Sequence, residues 1–69
     1  MDTHRTYQVI GMTCDHCVRA VTEEVAAITG VTEVQVDLPS GRVDVTSTRE
    51  LDRDEMVAAI DEAGYELAS

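Results

Sequence analysis

Apolar and polar residues alternate singly in some stretches of this chain and recur at three- and four-residue intervals in others. Tyr7 and Val9 alternate with Thr6 and Gln8, the pattern of a strand buried on one side. From Asp15 to Thr29, Val18, Val21, Val25 and Ile28 fall on one face of a helix. Asp15 supplies an acid near its start, and Gly30 is suited to stop it. Val34, Val36 and Leu38 alternate with Gln35 and Asp37, and Val43 and Val45 alternate with Arg42, Asp44 and Thr46. Pro39-Ser40-Gly41 between them is turn chemistry, so these two strands are predicted to form a hairpin. Asp52 followed by Glu55 resembles a capping box, with Asp in place of Ser or Thr. It opens a second helix with Met56, Val57, Ile60 and Ala63 on one face; Gly64 ends it, and Tyr65 to Leu67 can make a short last strand.

The predicted order is βαββαβ. That order defines an α+β class with a ferredoxin-like architecture: two helices on one face of a four-stranded antiparallel sheet. With 69 residues, no linker and no low-complexity stretch, residues 1–69 are expected to be one domain. Such a domain is marginally stable, and this one has no Trp or Phe for its core. A surface site is therefore expected in preference to a deep pocket.

Composition narrows the function further. The formal net charge is −9, and every cation is Arg. This balance repels nucleic acid and anionic membranes and steers the chain toward basic surfaces. Proteome-wide bias would give the same balance, so charge alone is a weak guide to the partner. No apolar run approaches the roughly 20 residues that span a membrane. The polar start, residues 1–8, lacks the features of a secretion signal. A cytoplasmic location is expected, where thiols stay reduced.

The only two cysteines lie in Gly11-Met12-Thr13-Cys14-Asp15-His16-Cys17, between a predicted strand and a predicted helix. A CxxC pair in the cytosol points to metal binding or redox chemistry, because its bridge closes too short a loop to staple a fold. Cys14 is expected just outside the helix and Cys17 in its first turn, so both sulfurs can converge. Backbone N–H groups and the positive end of the helix dipole favour thiolates there. Paired thiolates are soft donors that select Cu(I), which accepts two-coordinate geometry; a structural Zn(II) wants four ligands. Neither sulfur is expected to matter to the core. His16, at the helix start, is expected to face solvent, with a supporting role beside the sulfurs or ligation across a dimer left open, and His4 is expected to lie in a solvated tail. Arg19 is expected on a solvated helix face. Thr13 is expected to hydrogen-bond the loop backbone.

The run Gly11-Met12-Thr13-Cys14-x-x-Cys17, with Gly30-Val31 after the first helix and Gly64-Tyr65 after the second, resembles the heavy-metal-associated (HMA) domain family. Within it the chain is similar to free-standing bacterial copper chaperones of the CopZ type. The resemblance runs from about Tyr7 to Leu67. It implies Cu(I) as cargo, Cys14 and Cys17 as its ligands, Met12 packed inward under the loop, and Tyr65 near the sulfurs. It implies hand-over to a P1B-type copper-transporting ATPase and its metal-binding domains, with a copper-responsive repressor as a further partner. It also implies a monomer without metal, with a copper-bridged dimer left open, and no enzymatic activity.

Other readings remain. The chain could be the amino-terminal domain of a copper ATPase; Met1 and the short tail after Leu67 favour a separate polypeptide. HMA proteins that carry Zn(II) or Cd(II) typically place an acid just before the first cysteine, where this chain has Thr13. Mercury-binding members share the motif but are usually exported. A thioredoxin-like oxidoreductase is opposed by the length, by the element order and by the use of the single Pro39 in a turn.

Overall fold

Val9, Val43 and Val45 project from adjacent strands onto Val21 and Val25 of one helix and Met56, Ala59 and Ile60 of the other, and this contact is the core. The computed structural model describes residues 2–68. Met1, read above as the start of a separate polypeptide, lies outside the described residues. The elements follow the predicted order: β1 (Thr3–Ile10), α1 (Asp15–Ala26), β2 (Val31–Asp37), β3 (Arg42–Ser47), α2 (Arg53–Glu62) and β4 (Glu66–Leu67). The sheet runs β2-β3-β1-β4, and every pairing is antiparallel. Both helices cover one face of it, which is the ferredoxin-like arrangement.

Five boundaries differ from expectation; one is the end of β2, which closes at Asp37 and leaves Leu38 in the hairpin turn. β1 starts at Thr3, so His4 lies within a strand, opposite Thr46, and is not part of a tail. It is nevertheless exposed, on the polar face of the sheet. Helix α1 ends at Ala26, three residues before Thr29, and a turn covers the distance to Gly30. β2 begins at Val31 and reaches β3 through a register shift between Val31 and Glu33. β4 is confined to Glu66–Leu67, so Tyr65 sits just before it.

The hairpin tip also controls the end of β1. Gly41 is buried with φ of 74°, and a Cβ there would stand 2.6 Å from the Val9 carbonyl oxygen. The bare backbone lets the Gly41 carbonyl accept the Val9 N–H at 2.9 Å. The last turn of β1 is thereby held between β4 and the hairpin tip. At the start of α2, the Asp52–Glu55 capping box is formed, and Arg49 grips the same Glu55 carboxylate at 3.0 and 2.6 Å. Arg49 also donates to the Thr29 carbonyl at 2.9 Å, which ties the end of the α1–β2 turn to α2.

Met56 and Ile60 are fully buried, and they carry α2 onto the sheet. A core this small supplies no more than about 3–5 kcal/mol of net stability. Ile60→Ala is expected to remove about 2–5 kcal/mol, enough to unfold much of the population. Urea denaturation followed by circular dichroism checks this; a loss below about 1 kcal/mol would mean that α2 is not the lid of the core.

Candidate metal site

The strand-to-helix turn is built by four successive residues with different tasks. Gly11 takes φ of 99°, a conformation unfavourable for residues with a side chain, and swings the chain away from β1. A Cβ on it would lie 3.4 Å from the ring of Tyr65, so the Gly11 backbone and Tyr65 are in close approach. Met12 is half-buried and packs against the core, as expected, and so anchors the loop from below. Thr13 is exposed, but its backbone N–H points inward. Cys14 then takes the N-cap position in extended conformation, and its carbonyl accepts the N–H groups of Cys17 at 3.0 Å and Val18 at 3.3 Å.

Cys17 therefore lies in the first turn of α1, as the spacing predicts, but its burial corrects the sequence reading. The buried stripe of α1 is Cys17, Val21 and Val25, with i, i+4 spacing. Val18 is only half-buried, and Ile28 packs on the core from beyond the helix end. Cys17 is 5% exposed and belongs to the packed interior, whereas Cys14 is exposed. The two sulfurs stand 3.6 Å apart, so both thiols are free and close.

The surroundings of Cys17 favour its thiolate. The Thr13 N–H donates to its Sγ at 3.4 Å, and the Thr13 hydroxyl lies 3.9 Å from the same atom. The hydroxyl thus faces the sulfur rather than the loop backbone, contrary to expectation. The Thr13 N–H is the largest influence that brings the Cys17 pKa from 9.0 down to about 6. Hydrogen bonding from the Tyr65 side chain is the next, and each is a larger influence than the upward push of burial. Hydrogen bonding from Cys14 adds smaller contributions in the same sense. Reciprocally, the Tyr65 pKa is raised, first by its interaction with Cys17 and then by desolvation. Tyr65 is half-buried and packs on the core while its side chain also acts on the sulfur.

The remaining candidates stay outside this cluster. His16 and Arg19 are exposed on α1, and Asp15 is an acid in its first turn. Among the described residues, no third His, Cys, Asp or Glu joins the two sulfurs. The backbone donor of Thr13 had no signal in the sequence. The burial of Cys17 did have one, in its i, i+4 relation to Val21 and Val25.

The heavy-metal-associated domain matches residues 6–66, from within β1 to the start of β4. The chain belongs to the heavy-metal-associated domain family. Copper chaperone CopZ of Bacillus subtilis is 40% identical over 65 residues, which cover 93% of this chain and 94% of that protein. A solved structure of a CopZ metallochaperone superposes with a TM-score of 0.88 at 33% identity, covering 96% of this chain and all of the other. Copper-transporting ATPase 1 of Rhizobium meliloti is 38% identical over 60 residues, which cover 87% of this chain but only 7% of the ATPase.

The lowered Cys17 pKa has two measurable results. In the reduced, metal-free protein, thiolate absorbance should rise through a step near pH 6, and Tyr65→Phe should move that step upward. An unmoved step would remove Tyr65 from the site. Because the folded thiol ionises more readily than the unfolded one, its stabilisation is full above pH 9 and disappears as pH falls through about 6. Resistance to urea should decline over that window, and Cys17→Ala should flatten the decline.

Proposed function

We propose that this protein carries Cu(I) on Cys14 and Cys17 and gives it to the thiolates of a P1B-type copper-transporting ATPase in the cytoplasm. The observation that carries this reading is the asymmetry of the pair. One sulfur is buried, charged and held by a backbone N–H, and the other is exposed at the helix cap. The first retains an ion while the second exchanges partners.

The donor set favours a monovalent soft ion. Two thiolates leave a tetrahedral Zn(II) two ligands short, and Thr13 brings no carboxylate to make up the shortfall. At a metal–sulfur distance of about 2.3 Å, a tetrahedral bite needs roughly 3.8 Å between sulfurs and a linear one roughly 4.6 Å. The observed 3.6 Å is near the first and short of the second. Linear Cu(I) therefore requires about 1 Å of opening, which the exposed Cys14 can provide without disturbing the core.

Hand-over follows by ligand exchange. An acceptor thiolate forms a bond to copper on the open side, giving a three-coordinate ion. The bond to Cys14 then breaks, and the released thiolate takes a proton from solvent or remains charged. A second acceptor thiolate displaces Cys17 in the same manner. Copper stays Cu(I) throughout, and no covalent bond of a substrate is made or broken, so the role is transport rather than catalysis. The similarity to a short part of a copper-transporting ATPase supports an acceptor built on the same domain. A repressor that presents thiolates could draw on the same exchange. The metal-free chain is a monomer in this account, and a dimer arises only when two sites share copper ions.

Cys14→Ser and Cys17→Ser should each abolish tight Cu(I) binding, but only Cys17→Ser should also lower the unfolding midpoint. His16→Ala should leave affinity nearly unchanged. Anaerobic titration against a Cu(I) chelator, read by native mass spectrometry, measures affinity and stoichiometry together. Preference for Zn(II) over Cu(I) in direct competition would overturn the proposal.

A further inference from the structure

Between the end of α1, with the turn that follows it, and one side of α2 lies an open groove of about 480 Å³. Ala27, Ile28, Ala58 and Ala59 line it together with Thr29, Glu55, Glu24 and Glu62, and the carboxylates of the last two are called its rim. The groove is far from the sulfurs: Glu24 follows Cys14 by ten residues, roughly 15 Å along the helix axis. It is also too open to enclose a small molecule.

The rim is electrostatically uncompensated. Glu24 lies in the last turn of α1 and Glu62 ends α2, and neither helix has a basic residue in its last turn. Carboxylates at a helix C-terminus are repelled by the negative end of the dipole. Neither glutamate belongs to any of the three ion pairs among the described residues. Glu55, which also borders the groove, shows the contrast, because Arg49 already neutralises it through two hydrogen bonds. A cation brought to this rim would therefore satisfy two carboxylates and relieve two helix ends. The rest of the lining adds a second requirement: apart from Thr29 it is apolar, with three alanines and Ile28, so the cation must bring its own aliphatic surface. Arginine and lysine do this, since their stems lie on apolar ground while their heads reach the rim.

We propose that this groove docks a basic amphipathic helix of a partner protein, with Arg or Lys heads at Glu24 and Glu62 and aliphatic stems on the alanine lining. The overall charge of −9 steers such a segment in and turns nucleic acid away. Because the site lies at the other end of α1, docking leaves Cys14 uncovered and does not require metal. The proposal holds whichever ion the cysteines carry.

The test uses the whole reduced, metal-free chain and a synthetic helical peptide with Arg and Leu at i, i+3 and i+4 on one face. Amide chemical shifts are mapped at physiological ionic strength. The expected perturbations centre on Glu24, Ala27, Ile28, Ala58 and Glu62. Glu24→Gln/Glu62→Gln should weaken binding about tenfold, and a control with the same charge change, Glu33→Gln/Glu66→Gln, by less than about threefold. Ala58→Leu, which fills the groove without altering charge, should also weaken it. Equal losses in the double variant and the control, or shifts spread over the polar face of the sheet, would show that the peptide senses only net charge and would overturn the proposal.

Discussion

The Gly11–Cys17 loop depends on one hydrogen bond, from the Thr13 backbone N–H to Cys17 Sγ at 3.4 Å. A main-chain donor cannot rotate away as a side chain can, so it fixes both the place and the charge of the sulfur. It holds the thiolate against the cost of burial, which would otherwise keep Cys17 protonated. That bond exists only because Gly11 bends the chain and Met12 pins the loop to the core, which together present the Thr13 N–H to the first turn of α1. The hairpin contact of Gly41 with Val9 and the pairing of β4 with β1 hold the strand from which the loop departs. The rigid part of the site is therefore an extension of the sheet.

Cys14 has the opposite situation. At the N-cap it contributes its carbonyl to the helix and leaves its side chain exposed, with no capping hydrogen bond. In the proposed ligand exchange, a fixed sulfur would retain the ion while a free one changes partners. Two fixed sulfurs would slow release, and two free ones would lose the ordering that favours binding. In so small a domain, the fixed sulfur doubles as core: Cys17 fills the place of an apolar residue one turn before Val21.

The architecture was legible in the sequence because its periodicities are plain. The alternation at Val43 and Val45, the turn at Pro39-Ser40-Gly41 and the Asp52–Glu55 box all form as read. Sequence and structure part where a pattern can be phased in two ways or where polar residues hide a strand. Val18, Val21, Val25 and Ile28 make a plausible helical face, but the sheet receives the face that begins with Cys17, because only that phase brings the cysteine beneath Thr13. Thr3, His4 and Arg5 are all polar and give no strand signal, but β3 is long enough to pair with β1 as far as Thr3, opposite Ser47. The cysteines and Met12 were legible as a motif. The groove was not, since it arises where the turn after α1 meets α2, a contact made only in three dimensions.

X-ray absorption at the copper edge of the Cu(I)-loaded monomer tests the central claim most directly. The account predicts a shell of two sulfur scatterers and no nitrogen, with Cys14 and Cys17 as the only ligands. A four-coordinate shell, or a nitrogen scatterer that disappears in His16→Ala, would contradict it.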